Sequence, residues 1–226
     1  MTEAADASAP RTYRQVRFEH APGSTEILLV RHGESAVADP GNPFTLLDGR
    51  GDPELSPEGC VQAEALAERL AKVGIDAIYV TPLRRTAETA APLAARLGVE
   101  PVVEPGMVEV NMGEWEGGLY RRMIAERSPL AMRVFREERW DVIPGAESNE
   151  SLFTRTGAAI GRIAERHRDG RVVVVAHAVS IGTVLAQAAR SSPFAFVAGD
   201  NASVSTLVVA GDRWTVRRFN DTAHLE

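Results

Sequence analysis

Three short apolar runs constrain this chain most: Ile27–Arg31, Asp76–Thr81 and Arg171–His177. A brief, continuous apolar run bounded by turn residues suits a strand covered on both faces. Helix signals fill the gaps. Ser56-Pro57-Glu58-Gly59 opens one, with Ser56 at the N-cap, Pro57 at the first helical position and Glu58 in the first turn. Ala63, Leu66, Ala67, Leu70 and Val73 continue it, and Gly74 ends it. Thr81-Pro82 starts a second helix, with Ala87, Ala90, Leu93, Ala94 and Leu97 on its buried side and Gly98 as its stop. A long loop spans Ser35–Asp52. Val102–Val103 reads as a short strand, and Leu119–Arg139, Leu152–His167 and Val179–Ala189 read as helices. Ser203–Ala210 and Trp214–Phe219 flank Gly211-Asp212, a hairpin signal.

Strands alternating with helices predict an α/β three-layer sandwich with a largely parallel central sheet flanked by helices. A C-terminal antiparallel hairpin and a helical cap insertion at about 110–149 complete it. The 226 residues suit one catalytic domain over 25–226. Residues 1–24 read as an N-terminal tail or arm, loose over Met1–Pro10. Tyr13, Val16 and Phe18 form either a short edge strand or a packed arm.

Composition narrows the function. Apolar residues are 44% and charged residues 25%, which excludes a disordered, collagenous or coiled-coil chain. No apolar run is long enough to cross a bilayer, and Met1–Pro10 has no apolar signal core, so a cytoplasmic location is expected. Cys60 is the one cysteine, which excludes an internal disulfide and a Cys-based zinc site. The net charge of −6 argues against non-specific nucleic-acid binding. The expected partner is a small molecule, with no nucleic acid, no membrane and no cofactor. Assembly is left open, a homodimer being one option.

In an open parallel sheet, ligands bind off the carboxyl ends of the strands. Arg31-His32 ends the first strand, Thr81–Arg85 follows the second, and His177 ends a later one. Two arginines and two histidines at one rim repel one another unless an anion joins them. A phosphoryl group is the obvious anion, because the arginine fork matches its oxygens. Turns after strands and helix N-termini add backbone N–H donors.

Leu29-Val30-Arg31-His32-Gly33-Glu34 resembles the signature of the histidine phosphatase superfamily, which includes cofactor-dependent phosphoglycerate mutases. Further matches follow in the family's order. They are Asp52–Gly59 (D-x-x-L-S-x-x-G), Thr81–Ala90, Glu109–Gly117, Pro144–Ser148, Val174–His177 and Asn220–Leu225. The resemblance implies that His32 is the nucleophile that becomes phosphorylated. It implies that Arg31, Arg85 and His177 complete the phosphate pocket, and that Glu109 is the proton donor. Gly33, Ser35 and Ala178 are implied as substrate-binding positions. The chain departs from the family at Ala38, where Asn is common, and at Ala178, where Gly is usual.

The chemistry agrees. A neutral imidazole attacks phosphorus near pH 7, cations on the oxygens ease its approach, and a carboxylic acid protonates the alkoxide. No metal is needed, and no paired-Asp motif or His-rich run would supply one. The expected activity is metal-independent hydrolysis of a small phosphorylated metabolite through phosphohistidine. Mutase-type phosphoryl transfer is the alternative. Mutases carry Glu-Arg-x-Tyr where this chain has Glu109-Val110-Asn111-Met112, which favours the hydrolase. Substrate choice is assigned to Met112–Arg139, where Arg121, Arg122, Arg127 and Arg133 are either recognition groups or solvated.

Two other readings stand beside it. Ala178-Val179-Ser180-Ile181-Gly182 resembles the nucleophile elbow of α/β-hydrolases, with Ser180 as nucleophile and His224 as base. A phosphate-binding module without turnover is the other. Cys60 reads as structural, His20 and His167 as solvent-facing, Trp115 and Trp140 as cap packing, and Trp214 as core.

Overall fold

The computed structural model describes residues 12–226, so the loose tail expected over Met1–Pro10 lies outside the described residues. Strand β1 (Thr25–Arg31) is followed by a small hairpin, β2 (Leu46–Leu47) and β3 (Arg50–Gly51). Helix α1 (Pro57–Leu70), strand β4 (Ala77–Val80), helix α2 (Arg84–Leu97) and strand β5 (Val102–Val103) come next. Helices α3 (Leu119–Ala125), α4 (Pro129–Glu137) and α5 (Asn149–Arg166) precede β6 (Arg171–Ala176) and α6 (Ala178–Ala189). Strands β7 (Val204–Ala210) and β8 (Arg213–Asp221) close the chain.

The main sheet has the order β5-β4-β6-β1-β7-β8. The first four strands in that order run parallel, and β7 and β8 are antiparallel additions. Alternate residues of the central strands enter different cores. Ile27, Leu29, Val172 and Val174 pack with Ile160 and Ile163 of α5 and with Val184 and Leu185 of α6. Leu28, Val30, Val173 and Val175 pack with Leu66 and Leu70 of α1 and Leu93 of α2. Two covered faces are the reason the runs are apolar at every position. Each such side chain adds about 1.5–3 kcal/mol by leaving water. A third cluster joins Val110, Met112, Trp115, Val134, Trp140 and Ile143 to Leu152 and Val179.

Local signals act as expected at several ends. The Ser56 hydroxyl accepts from Gly59 N–H with Pro57 at the first position. Gly98 caps α2 in the left-handed conformation. Other expectations change. Helix α1 ends at Leu70, and Val73 is exposed beyond it. Ala87 is exposed, and Thr86 and Thr89 are buried in its place. The single helix over Leu119–Arg139 is two helices. Arg127 takes a left-handed conformation, and Ser128 caps a new helix with Pro129 at its start. Residues 12–20 form no strand. Tyr13 and Val16 are exposed, and Phe18 packs under the Arg217 guanidinium at 3.8 Å.

Cys60 is exposed, Trp214 is half-buried against the core, and His167 is partly exposed, with its Nε2 2.9 Å from the Tyr79 hydroxyl. Among the described residues, no helix is long and apolar enough to cross a membrane.

Candidate active site

A cavity of about 460 Å³ opens at the carboxyl ends of the parallel strands. Arg31 ends β1 and His32 follows it; Arg85 lies in the first turn of α2, and Ala178 opens α6 after His177. Arg31, His32, Arg85, Glu109 and Ala178 line the cavity. His177 lies fully buried behind His32, their rings edge-on with centroids 5.2 Å apart.

His32 is fixed from three sides. Its carbonyl accepts from Ala202 N–H (3.2 Å) and from the Asn201 amide (3.0 Å). Its Nδ1 lies 2.7 Å from the Gly33 carbonyl, which only accepts, so Nδ1 carries the proton. Nε2 therefore holds a lone pair, and Arg85 Nε–H donates to it at 3.2 Å. Burial, then Arg85 and Arg31, push His32 well below the ordinary 6.5 and keep it neutral. Burial, then Arg85, does the same to His177.

The arginines hold free donors. Arg31 donates to the Gly199 carbonyl (2.6 Å), while its Nε–H has no partner. Arg85 donates to the Gly51 carbonyl at 2.9 Å. Neither has a carboxylate within ion-pair distance among the described residues. Arg84 faces away and pairs with Glu54 and Glu88.

The Glu109 carboxylate sits at the N-terminus of α6. It accepts from Val179 N–H (3.3 Å), Ser180 N–H (3.2 Å) and Val110 N–H (3.0 Å). Burial, the largest influence, raises its pKa above the ordinary carboxylate range, although these amides and Arg85 pull the other way. Its backbone is gripped from behind. Arg155 donates to the carbonyls of Gly106, Val108 and Glu109 and makes a two-pronged pair with Glu147. Arg50 also donates to the Glu109 carbonyl (2.8 Å).

Gly33 and Ser35 do not line the cavity. Gly33 N–H donates to the Thr89 hydroxyl (3.0 Å), and a Cβ on Gly33 would meet the Gly59 carbonyl at 2.6 Å. Ser35 Oγ accepts from Arg121 (2.7 Å). Ala178 has an ordinary helical backbone, so its Cβ brings no strain.

Of the cap arginines, only Arg121 lines the cavity. Arg122 and Arg133 pair with Glu126 and Glu137 at the surface. Trp115 and Trp140 are buried in the cap cluster and also form the apolar wall, with Tyr120, whose phenol burial pushes up to about 12. Arg50 and Phe44 reach the cavity from the β2–β3 region and were not singled out from the sequence. The Asp48-Gly49 pair, both residues at positive φ, is the hairpin signal that could have located them.

The nucleophile-elbow reading fails on geometry. Ser180 is fully buried, and its hydroxyl bonds to the backbone of His177. His224 accepts from Arg69 (3.0 Å), elsewhere in the fold.

Comparison with known proteins adds to this geometry. The profile of the histidine phosphatase superfamily (branch 1) matches residues 27–222. The chain is 36% identical to phosphoglycerate mutase-like protein 4 of Arabidopsis thaliana, over 89% of this chain and 87% of that one. It is 33% identical to phosphoserine phosphatase 1 of Hydrogenobacter thermophilus, over 88% and 94%. A mycobacterial glucosyl-3-phosphoglycerate phosphatase superposes with a TM-score of 0.72 at 27% identity, covering 88% of this chain and 100% of that one.

Proposed function

Since this chain belongs to the histidine phosphatase superfamily, we propose that it hydrolyses phosphomonoesters of small metabolites through a phosphohistidine on His32. One observation carries the reading: a neutral His32 with an unprotonated Nε2 lines a cavity together with Arg85, which donates to that nitrogen, and Arg31, whose Nε–H is unpartnered.

The phosphoryl oxygens draw the guanidinium groups of Arg31 and Arg85 to themselves, and this frees His32 Nε2. The Nε2 lone pair forms the P–N bond as the P–O bond to the leaving alcohol breaks. Glu109, whose pKa burial raises, delivers a proton to the departing oxygen. Water then attacks phosphorus with the Glu109 carboxylate as base, the P–N bond breaks, and its electron pair returns to Nε2. The described residues hold no cluster of His, Cys, Asp or Glu suited to a metal ion, and no step of this scheme uses one.

Phosphoserine and phosphoglycerate-type esters are the substrates to test first, because similar proteins bear those names. Transfer to a second hydroxyl in place of water is the less favoured outcome. Val110 and Met112 occupy the places of the mutase Arg and Tyr and are buried in the cap cluster. Residues 25–226 act as one catalytic domain, with about 110–149 as its cap.

The decisive experiment mixes the enzyme with a labelled aryl phosphate and quenches rapidly. Acid-labile, base-stable label on His32 is expected. Turnover with no such adduct would overturn the mechanism, and binding with neither turnover nor adduct would leave a phosphate-binding module.

A further inference from the structure

Two buried polar atoms of the site are left without a partner, Arg31 Nε and His177 Nδ1. His177 is fully buried, and its Nε2 lies 2.9 Å from the Thr81 hydroxyl, but its Nδ1 has no hydrogen bond, because Ser180 N–H at the start of α6 donates to the Glu109 carboxylate (3.2 Å). A buried polar nitrogen of this kind costs free energy unless a ligand satisfies it. A neutral imidazole has one N–H, so the tautomer decides whether that ligand meets a donor or a lone pair. Burial and the positive neighbours Arg85, Arg155 and Arg31 keep the ring neutral.

Thr81 follows β4 and is buried. Its oxygen accepts from Leu83 N–H at 3.3 Å. Thr86 already accepts from Thr81 N–H (3.0 Å) and donates its own proton to the Leu83 carbonyl (2.8 Å). Two acceptors remain for the Thr81 proton: His177 Nε2 at 2.9 Å and Thr86 Oγ1 at 3.1 Å. The imidazole nitrogen is nearer, and it is a stronger acceptor than a hydroxyl that is already accepting.

We propose that Thr81 is a positioning residue whose hydroxyl donates to His177 Nε2, fixing the Nδ1–H tautomer so that the unpartnered nitrogen donates to an oxygen of the transferred phosphoryl group. This rests on the phosphohistidine reading. The other tautomer would turn a lone pair toward an anionic oxygen, which repels it.

The test reads the tautomer directly. Long-range proton–nitrogen correlation spectra of the full-length, nitrogen-15-labelled enzyme report both ring nitrogens, with His177 assigned by its loss in His177→Gln. The wild type and Thr81→Ser should show a protonated Nδ1, and Thr81→Val should move the proton toward Nε2. The orthovanadate Kd should rise about tenfold or more in Thr81→Val and stay within about twofold of wild type in Thr81→Ser. An Nε2–H tautomer in the wild type overturns the proposal. So does a folded Thr81→Val with unchanged tautomer and vanadate affinity. If Thr81→Val does not fold, the wild-type and Thr81→Ser spectra decide alone. The His32 adduct is scored separately, so a failed hydrolase mechanism is distinguishable from a failed role for Thr81.

Discussion

Arg85 Nε–H donates to the one nitrogen of His32 that carries no proton, across 3.2 Å. Under the proposed mechanism, Arg85 covers the nucleophilic nitrogen until a phosphoryl group draws it away. Arg85→Ala should weaken vanadate binding about ten- to a hundredfold, the scale of a lost charge-assisted hydrogen bond. Arg84→Ala should change it little, since Arg84 pairs with Glu54 and Glu88 at the surface. Isothermal titration separates the two, and equal losses would remove Arg85 from its special place.

His32→Ala should cut turnover by several orders of magnitude with an intact fold, because in the proposed mechanism the residue forms a bond instead of filling the core. Circular dichroism and steady-state rates on the same preparation check both halves. Near-normal turnover in a folded variant would end the phosphohistidine scheme.

Glu109→Gln keeps size and hydrogen bonding but cannot deliver a proton. The phosphorylation step should slow about a hundredfold or more for alkyl phosphates. For nitrophenyl phosphate the loss should be much smaller, because nitrophenolate leaves without help. Rapid-mixing burst rates make the comparison, and equal losses would move the acid elsewhere, to Glu114 or Glu116.

The proposed mechanism needs His32 neutral and Glu109 protonated. His32 lies below the ordinary 6.5, and Glu109 lies above the ordinary 4.5. The rate for alkyl phosphates should fall on the alkaline side as Glu109 ionises, and Glu109→Gln should abolish that limb in the pH profile of kcat/KM. An unchanged alkaline limb in that variant would count against the assignment.

Folding stability carries its own pH signature. The unfolded chain protonates His32 and His177 near 6.5, whereas the folded chain resists this. Their contribution is present above that value and is lost as pH falls below it toward the lowered folded values. The thermal midpoint should drop between about pH 7.5 and 5.5, and less so in His32→Ala. Calorimetry over that range with equal drops in both proteins would show that His32 is not the source.

The sheet was legible because two covered faces force uninterrupted apolar runs, as in Val172–Val175. The Arg-His-Gly-Glu turn, Arg85 and His177 were legible because strand ends share one rim in such a sheet. Arg155 and Arg50 were not. Their task is to hold backbone carbonyls of a distant irregular segment, and nothing in the spacing of a lone arginine records that. The break between α3 and α4 was written in Ser128-Pro129, but the surrounding apolar spacing masked it. Thr86 and Thr89 face inward in place of Ala87 because they serve the turns around Thr81 and Gly33.

The turn after β1 crosses the first turn of α1 so closely that a Cβ on Gly59 would stand 2.0 Å from the Glu34 carbonyl. The peptide that follows His32 and the helix start twenty-odd residues later are cast against each other, backbone on backbone. Neither is a portable part. A scaffold given Arg31–Ser35 alone would own the right letters and lack the mould, so the two motifs must be inherited, or transplanted, together.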